Sequence, residues 1–410
     1  MNRLRLTPAE AAASIRALPG LVFFDTALAP EGGGALSFLA AEPSQILTGR
    51  TAADWENMRR AITARQRPGA SPDGIPPGFA AGWVEYDGAF CFGFYDALLA
   101  YRHADGAWVA AGDVLPAWAL AEAAVTPAIP HLQFAPSMTR AAFIARVQRA
   151  QEYIAAGDIY QVNLSHRFTA PWPSGGDPFA FYEALRRCSP APQAAFLALN
   201  GRSVLSSSPE LFLKIEGRRI CTRPIKGTRP RRADPAADAR SAGDLTASPK
   251  EQAELIMITD LERNDLGKVC AFGSVRASEL LKLERFAQVF HLVSTVEGEL
   301  RPEVDPVTAL RACFPGGSIT GAPKKRAMEI IAELEPEPRG LYTGAIGYFG
   351  YDGSAQFNIA IRTVAVEEGL AHFHVGGGIV ADSLPEKEWQ ETLDKAAGIL
   401  LAAENPDDAS

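Results

Sequence analysis

The clearest hydrophobic pattern begins at Thr139, whose short polar side chain suits the N-cap of a helix. Apolar Phe143, Val147 and Ile154 follow on one helical stripe, and Gly157 supplies a stop. The spacing therefore predicts a helix between Thr139 and Gly157.

Residues 159–168 then alternate between apolar and polar side chains, which predicts a strand with one face in the core. Gln161, Asn163, Ser165 and Arg167 lie on the polar face. That face is either solvated or lines a cleft, and alternation alone does not separate the two.

Two further strands are predicted at residues 203–215 and 220–226, joined by a turn at Glu216 and Gly217. Glu210 follows Pro209 within the first of them. Its carboxyl group is either a general acid or base or an edge-strand charge.

Residues 1–130 read as short strands and turns with a few helices, and no chemical motif stands out among them. Residues 123–136 are rich in Ala and Pro and poor in pattern, which is typical of a boundary. We therefore predict an N-terminal subdomain over residues 1–130 and a second domain over residues 131–405.

A helix with a carboxylate pair is predicted after Ser248, which suits the N-cap, with Pro249 at the first helical position and Glu251 at the third. Glu254 shares the face of Glu251, because residues three apart on a helix are neighbours. The helix is predicted to end at Gly267.

The same device recurs near the C-terminus, where Ser383 and Glu386 form the pattern of a capping box. Glu388 and Glu391 again lie one turn apart. Hard oxygen ligands of this kind suit Mg²⁺. The alternative is surface ion pairing, for example between Glu391 and Lys395.

Lys226 lies next to Gly227 in a strongly basic segment. The segment contains Arg223, Arg229, Arg231 and Arg232. Neighbouring positive charge disfavours an ammonium group and leaves more free amine, the form that attacks an electrophilic carbon. Lys226 is therefore a candidate nucleophile, and the alternative is a basic surface loop without a chemical role.

The glycine-rich residues 314–325 lead into a predicted helix, and backbone amides at such a helix start attract anions. Ala322 and Pro323 follow Gly321, so this loop is not a Walker A motif and ATP binding is not expected.

A second glycine run, Gly376 to Gly378, exposes backbone amides that can hold a carboxylate, although a β-bulge explains these glycines equally well. Arg362 precedes this run and can bind a carboxylate through two parallel hydrogen bonds. The two features fit together if the substrate carries more than one carboxylate.

The charge balance limits the partners: 40 Lys and Arg against 48 Asp and Glu give a net charge of −8. A protein that binds nucleic acid or an anionic membrane needs a basic face, so neither partner is expected. The local basic segment instead favours a small anionic ligand.

The five cysteines are scattered, which predicts neither a disulfide framework nor a zinc site. The N-terminus lacks the apolar run of a signal peptide, and no segment is long and apolar enough to span a bilayer. A cytoplasmic location is therefore expected.

Together these motifs resemble those of the chorismate-utilising enzymes. The resemblance extends over residues 135–403 and rests on residues 208–210, 224–228, 251–265, 289–294, 314–324, 339–342, 361–363, 376–380 and 388–395. It implies an α+β fold in which two packed antiparallel sheets carry helices on the outside and hold the active site between them.

The resemblance also implies where the chemistry takes place. Members that add water at C2 of chorismate are expected to have a lysine where this chain has Gln161. Anthranilate synthases usually have alanine where this chain has Lys226, whereas lysine there is the pattern of the aminodeoxychorismate synthase branch. In that branch Lys226 would attack C2 and expel the 4-hydroxyl, and ammonia would then add at C4 and expel the lysine.

Further roles follow from the resemblance by position. Glu254 and Glu391 are expected to be the main Mg²⁺ ligands, assisted by Glu251 and Glu388, and the metal would hold the ring carboxylate. Glu210 is expected to protonate the leaving hydroxyl. The expected substrate-binding residues are Gln161, Thr228, His291, Ser318, Thr320, Tyr342, Arg362, Gly376, Gly377, Gly378 and Lys395. Among these, Arg362, Tyr342 and the glycine amides would hold the enolpyruvyl carboxylate.

No cysteine lies in a glutaminase motif, so ammonia is expected from a separate glutamine amidotransferase subunit in a heterodimer. Residues 23–26 replace the motif that helps bind tryptophan in feedback-inhibited anthranilate synthases, which leaves tryptophan regulation unsupported. The product would be 4-amino-4-deoxychorismate, a precursor of p-aminobenzoate and folate. Two alternatives are anthranilate synthase component I and a catalytically silent ligand-binding regulatory subunit.

Overall fold

The computed structural model describes residues 6–28, 35–67, 74–112, 128–286 and 289–404. Within these ranges the chain forms two antiparallel β-sheets with helices packed against them, so the expected α+β architecture is confirmed.

The helices are α1 (Pro8–Ser14), α2 (Ala52–Thr63), α3 (Arg140–Ala155), α4 (Pro178–Cys188), α5 (Pro235–Thr246), α6 (Pro249–Gly267), α7 (Pro306–Cys313), α8 (Lys324–Leu334) and α9 (Pro385–Glu404), with a 3-10 turn at Gly317–Ile319. The strands are β1 (Val22–Asp25), β2 (Leu36–Ala40), β3 (Gln45–Gly49), β4 (Phe79–Val84), β5 (Phe90–Tyr95), β6 (Leu98–Arg102), β7 (Ala107–Ala111), β8 (Ala135–Pro136), β9 (Gln161–Pro171), β10 (Gln193–Leu199), β11 (Arg202–Ser208), β12 (Leu211–Glu216), β13 (Arg219–Arg223), β14 (Ile225–Pro230), β15 (Arg276–Arg285), β16 (Val289–Glu299), β17 (Gly321–Ala322), β18 (Ala345–Gly350), β19 (Ala355–Ile359), β20 (Thr363–Glu367) and β21 (Leu370–Ile379).

The first sheet has the strand order β17-β9-β21-β20-β11-β10-β1-β2-β6-β7, with β8 paired to β9. The second has the order β14-β16-β13-β12-β19-β18-β4-β5-β3, with β15 paired to β16.

Aromatic side chains fill the space between the two sheets. The ring of Phe38 on β2 lies 5.4 Å from that of Tyr348 on β18 and 6.3 Å from that of Phe79 on β4. Such edge-to-face pairs add about 0.5–1.5 kcal/mol each to the stability that comes from burial. These contacts fix how the two sheets lie against each other.

Strands from both sides of the predicted boundary at residue 130 pair within each sheet. In the first sheet β1 pairs with β10, and in the second β4 pairs with β18. Residues 113–127, which precede the boundary, and residue 405, which closes the second range, lie outside the described residues. The division into two domains stays a prediction.

The helix and strand predicted between residues 139 and 168 are confirmed as α3 and β9. The single strand predicted over residues 203–215 is wrong. β11 ends at Ser208 in the first sheet, and β12 begins at Leu211 in the second. Pro209 has no amide hydrogen with which to continue the ladder, so the chain crosses between the sheets at Pro209 and Glu210.

Candidate active site

A cavity of about 640 Å³ lies where β14, the end of β21 and the first turns of α6 and α9 meet. Most of the predicted site residues line it: Glu210, Lys226, Thr228, Glu251, Glu254, His291, Ser318, Tyr342, Arg362, Gly376, Gly378, Glu391 and Lys395. The structure therefore brings together residues between 210 and 395, which span nearly half of the chain.

Lys226 lies on β14 opposite Leu292 of β16, just before a β-bulge. The bulge is at Gly227, whose φ of +67° is unfavourable for other residues. A Cβ atom at this position would also lie 2.5 Å from a Leu245 methyl carbon and 3.0 Å from Glu251 Oε2. Gly227 thus brings the strand with Lys226 close to α6.

The arginines near Lys226 do not create the repulsive environment that the sequence predicted. Arg223 pairs with Glu284, Arg231 with Asp238 at 3.0 Å, and Arg229 with Glu251 at 3.8 Å. Their charges are therefore balanced by nearby carboxylates.

Lys226 itself acts electrostatically on Glu210, Glu254 and Glu391. The prediction of a cationic setting is wrong, because neighbouring side chains on this bulged strand have different partners. Lys226 faces an acidic cavity instead.

Glu210 is the most deeply placed acid of the cavity, with 6% of its surface exposed. Burial raises the pKa of its carboxyl group, and hydrogen bonds from the Ser318 hydroxyl and the Ile225 amide, with the charges of Lys226 and Lys395, oppose this rise. A carboxyl group with a raised pKa suits a general acid.

Arg362 extends the cavity with a guanidinium group that makes no hydrogen bond or ion pair with the described residues. Burial lowers its pKa, and the charge of Glu210 partly offsets this effect. A desolvated guanidinium without a partner favours an incoming anion, above all a carboxylate.

Tyr342 lies on the same side of the cavity as Asn163 and His374. Its ring stacks on the His374 ring at 5.2 Å, its hydroxyl bonds with Asn163, and burial raises its pKa to about 12. Tyr342 is therefore a neutral phenol at physiological pH.

His291 is held by Thr228, whose Oγ1 lies 3.1 Å from the Nδ1 atom of the imidazole. Burial, followed by the charge of Arg362, lowers the pKa of His291 to about 4. The imidazole is therefore neutral at pH 7 and contributes a hydrogen-bonding wall, not a charge.

The predicted carboxylate pairs on α6 and α9 face one another around Lys250. The Nζ atom of Lys250 lies 3.8 Å from Glu254 Oε1 and 3.8 Å from Glu388 Oε1. Burial acts to lower the pKa of Lys250, but the carboxylates, Glu388 and Glu254 foremost, raise it overall. One ammonium group thus lies among the four predicted ligands.

Burial raises the pKa values of Glu254 and Glu388. Glu391 is different: burial acts to raise its pKa, but the charge and hydrogen bond of Lys395, 2.7 Å away, lower it overall. The two helices therefore contribute carboxyl groups of unequal acidity.

Among the described residues, no group of three or more His, Cys, Asp or Glu side chains is arranged to hold a metal ion. The donor chemistry nevertheless fits Mg²⁺, because the ligands are carboxylate oxygens around a point that a cation already approaches. Glu388 Oε2 is also buried and has no hydrogen-bond partner within the part of the chain that the structure describes. The chemistry of these carboxylates therefore suits a divalent cation in place of the Lys250 ammonium group.

Four predicted residues do not line the cavity. Gln161 is buried behind Gly378, Thr320 Oγ1 donates to Gly316 O at 3.0 Å, and Glu388 accepts from Ser383 at 2.7 Å. A Cβ atom at Gly377 would lie 3.3 Å from Glu388 Oε2. These residues support the cavity from behind.

The glycines at 376–378 form no backbone nest. They lie in β21 and pair with Ser165, Leu164 and Asn163 of β9. Their lack of side chains is explained by close packing, since a Cβ atom at Gly376 would lie 2.4 Å from Leu164 O. The neighbouring loop at residues 314–322 also differs from expectation, because the amides of Gly317 and Ser318 donate to Glu262 of the protein itself.

Several cavity residues are not among those that the sequence predicts, chiefly Asn163, Lys250 and His374. Asn163 lies on the polar face of β9, and alternation alone does not show whether that face meets solvent or a cleft. Lys250 precedes Glu254 by one turn, a spacing that predicts the ion pair. Nothing in the pattern marks His374.

The cavity lies beside strands of both sheets and combines a guanidinium group with lysines and carboxylates. None of the helices in the described ranges is long and apolar enough to cross a membrane. Residues 33–401 match the model of the chorismate binding enzyme family, and the chain belongs to this family.

The chain is similar to anthranilate synthase component 1 of Streptomyces coelicolor, with 49% identity over 290 residues that cover 70% of this chain and 56% of that protein. It is equally similar to aminodeoxychorismate synthase component 1 of Salmonella typhimurium, with 49% identity over 269 residues that cover 66% of this chain and 59% of that protein. The chain thus spans between half and two thirds of the length of these curated relatives.

Among solved structures, anthranilate synthase component I from Streptococcus pneumoniae superposes with a TM-score of 0.77 at 29% identity. The match covers 89% of this chain and 92% of that one. Relatives of two different names are therefore equally close, and residues of the cavity must separate them.

Proposed function

We propose that this protein acts as aminodeoxychorismate synthase component I, which aminates chorismate at C4 to 4-amino-4-deoxychorismate. The observation that carries the proposal is the position of Lys226 in the same cavity as Glu210, Arg362 and the glutamate pairs. An amine next to a carboxylic acid suits a nucleophilic displacement. An arginine that can bind one carboxylate, together with glutamates that can bind a metal ion, suits a substrate with two carboxylates.

Glu210 is the proposed acceptor of the proton that Lys226 must lose before it attacks. Transfer of a proton from the Lys226 ammonium to the Glu210 carboxylate yields both a free amine and a carboxylic acid. Burial favours the neutral form of Glu210, so the low-dielectric cavity assists this exchange.

In the first displacement, Lys226 Nζ forms a bond to C2, the two conjugated ring double bonds each shift by one position, and the C4–O bond breaks. Glu210 gives its proton to the departing oxygen, which leaves as water. Ammonia then forms a bond to C4, the double bonds shift back, and the C2–N bond breaks to return the lysine amine. The new C4 ammonium returns a proton to Glu210.

Two groups of residues in the cavity would orient the substrate, one for each of its carboxylates. Arg362, with the Tyr342 hydroxyl, would bind the enolpyruvyl carboxylate, and Thr228 and His291 would border the ring. Mg²⁺ bound by Glu254 and Glu391, with Glu251 and Glu388 assisting, would neutralise and hold the ring carboxylate.

Ammonia is proposed to come from a separate glutamine amidotransferase subunit. Free ammonium salts at high pH should replace that subunit in the assay, so the chain is testable alone.

The test is Lys226→Ala, with Lys387→Ala as the matched control. Lys387 is an exposed lysine that lines the same cavity, so its loss removes one positive charge but no proposed nucleophile. With chorismate, Mg²⁺ and ammonia, Lys226→Ala should lower the rate of C4 amination by about 10²-fold or more, since a covalent route is lost. Wild-type rates and products in this variant would remove Lys226 from the mechanism.

Anthranilate synthase activity is the rival, since relatives of that name match equally well. The two reactions differ in their products. Mass and NMR analysis that finds the amine at C4 with the enolpyruvyl group retained supports the proposal. Release of pyruvate with anthranilate decides for the rival.

A further inference from the structure

Glu262, on the fourth turn of α6, is a buried acid outside the cavity. Only 2% of its surface is exposed. Its Oε1 atom accepts from the Gly317 amide at 2.9 Å and from the Ser318 amide at 3.3 Å, and its Oε2 atom is buried without a hydrogen-bond partner among the described residues. The Glu262 carboxyl group therefore binds the backbone of the turn at Gly317 and Ser318.

That turn leads directly to the proposed general acid. The amide of Ser318 donates to Glu262, and the hydroxyl of the same residue forms a hydrogen bond with Glu210. Ser318 therefore connects the two acids. Gly317 leaves room for this contact, because a Cβ atom there would lie 3.2 Å from Glu262 Oε1 and 3.0 Å from Leu261 Cβ.

The far side of the turn is fixed by other groups. Lys324 Nζ donates to Pro315 O at 2.6 Å and pairs with Asp265 at 2.5 Å, and Arg339 donates to Ile319 O at 3.0 Å. Glu262 is thus the contact that fixes the middle of a turn whose two ends are already held.

We propose that Glu262 is a positioning residue: it fixes the Gly317–Ser318 turn so that the Ser318 hydroxyl holds Glu210 in the geometry for proton transfer. The inference rests on the proposed function for its catalytic consequence. Its structural part, the order of the turn, does not.

The groups that face Glu262 set its protonation. They are Asp265 on its own helix, Lys324 on α8, Cys313 on α7 and Glu210. Burial, then the charge of Asp265, raises the pKa of Glu262 to about 8. The carboxyl group is therefore mainly neutral at pH 7, and glutamine reproduces both its charge and its acceptor oxygen.

The experiment compares Glu262→Met, which keeps volume but offers no oxygen acceptor, with Glu262→Gln, which keeps the acceptor. Asp260→Asn is the control, because Asp260 is an exposed carboxylate on the same helix. The readouts are hydrogen–deuterium exchange of a peptide that covers residues 314–322 and the kcat and KM values for chorismate.

We expect Glu262→Met to speed exchange in that peptide and to lower kcat about 10- to 100-fold with a smaller change in KM, since misplacement of a catalytic group mainly slows the chemical step. Glu262→Gln and Asp260→Asn should stay within about threefold of wild type. Combining Glu262→Met with Ser318→Ala should cost no more than the worse single variant, because residues that act through one contact are not additive.

Wild-type exchange and kcat in Glu262→Met, or multiplicative losses in the double variant, would overturn the inference. If Glu262→Met does not fold, Glu262→Asp, which shortens the side chain, replaces it in the same comparison. Absence of C4 amination in the wild-type enzyme together with faster exchange in Glu262→Met would overturn the proposed function and leave the positioning role supported.

Discussion

Helices α6 and α9 carry glutamate pairs of the same spacing, but the structure treats the two pairs differently. On α6 the Ser248 hydroxyl accepts from the Glu251 amide at 3.4 Å, as an N-cap does. On α9 the Ser383 hydroxyl donates to the Glu388 carboxylate at 2.7 Å and makes no such cap with Glu386.

The pKa values of the carboxyl groups also differ between the two pairs. Glu254 keeps a raised pKa because burial outweighs its lysine neighbours, whereas Lys395 makes Glu391 more acidic than usual. Equal spacing therefore places the two carboxylates of each pair on one helix face. Their hydrogen bonds and their pKa values depend on other residues, such as Ser383 and Lys395.

The largest expected effect comes from removing either main ligand. Glu254→Gln and Glu391→Gln should each lower Mg²⁺-dependent turnover by at least about 10²-fold, because an ionised ligand of the metal is lost. Titration calorimetry with Mg²⁺ measures the accompanying loss of affinity. Glu386→Gln, at an exposed ion pair with Arg140, is the control. Unchanged metal dependence in either variant would contradict its ligand role.

The pH dependence should follow the raised pKa values of Glu254 and Glu388. Mg²⁺ binds the ionised carboxylates, so its affinity should fall as pH falls, by up to about tenfold per pH unit for each carboxyl group that protonates. Calorimetry between pH 7.5 and pH 5.5 measures this slope. It should be shallower in Glu254→Gln, and an equal slope there would contradict the assignment.

Without metal, the contribution of Glu254 and Glu388 to stability should have the opposite trend. Folded-state pKa values above the ordinary value of 4.5 mean that these two groups bind protons more tightly in the folded protein than in the unfolded chain. Their contribution to the free energy of unfolding should therefore decrease as pH rises from 4.5 through the raised pKa values. Urea denaturation of wild type and Glu254→Gln with a chelator present isolates the part due to Glu254, because groups with a lowered pKa, such as His291, act in the opposite direction in both proteins. A difference between the two proteins that does not change with pH would refute the burial argument.

The two serines test the difference in capping. Ser248→Ala should lower the free energy of unfolding by about 1 kcal/mol, because a helix cap is lost, and leave Mg²⁺ affinity unchanged. Ser383→Ala should instead weaken Mg²⁺ binding about tenfold, because Glu388 loses the group that orients it. Denaturation and calorimetry on both variants separate the roles, and identical profiles would remove the distinction.

The smallest expected effect concerns Lys250 between the two helices. Lys250→Ala should raise Mg²⁺ affinity about two- to fivefold, since the metal no longer displaces a half-exposed ammonium group. Lys387→Ala again serves as the control for charge. A weaker affinity in Lys250→Ala would show that the lysine assists the metal.

The sequence was sufficient where local rules apply. Thr139 and Ser248 cap helices, as their positions in the pattern predict. Periodicity also predicts that the two glutamates of each pair share a helix face. In the structure the pairs on α6 and α9 lie around Lys250. The roles given to these residues stay predictions.

Long-range partners could not be predicted. The acceptor for Arg223 is Glu284, 61 residues away, and the carboxylate that takes the loop amides at Gly317 comes from Glu262, 55 residues earlier. A strand pattern also does not say where a chain changes sheets, so the crossing at Pro209 was read as a continuous strand.

That crossing joins the proposed chemistry to the architecture. Glu210 lies where the chain passes from one sheet to the other, and the aromatic contact between Phe38 and Tyr348 also joins the two sheets. We therefore expect the packing of this aromatic layer to affect the distance between Glu210 and Lys226. Trimming that remote layer would loosen the reacting groups as well as the scaffold. Substitutions in this layer should consequently lower thermal stability and turnover together.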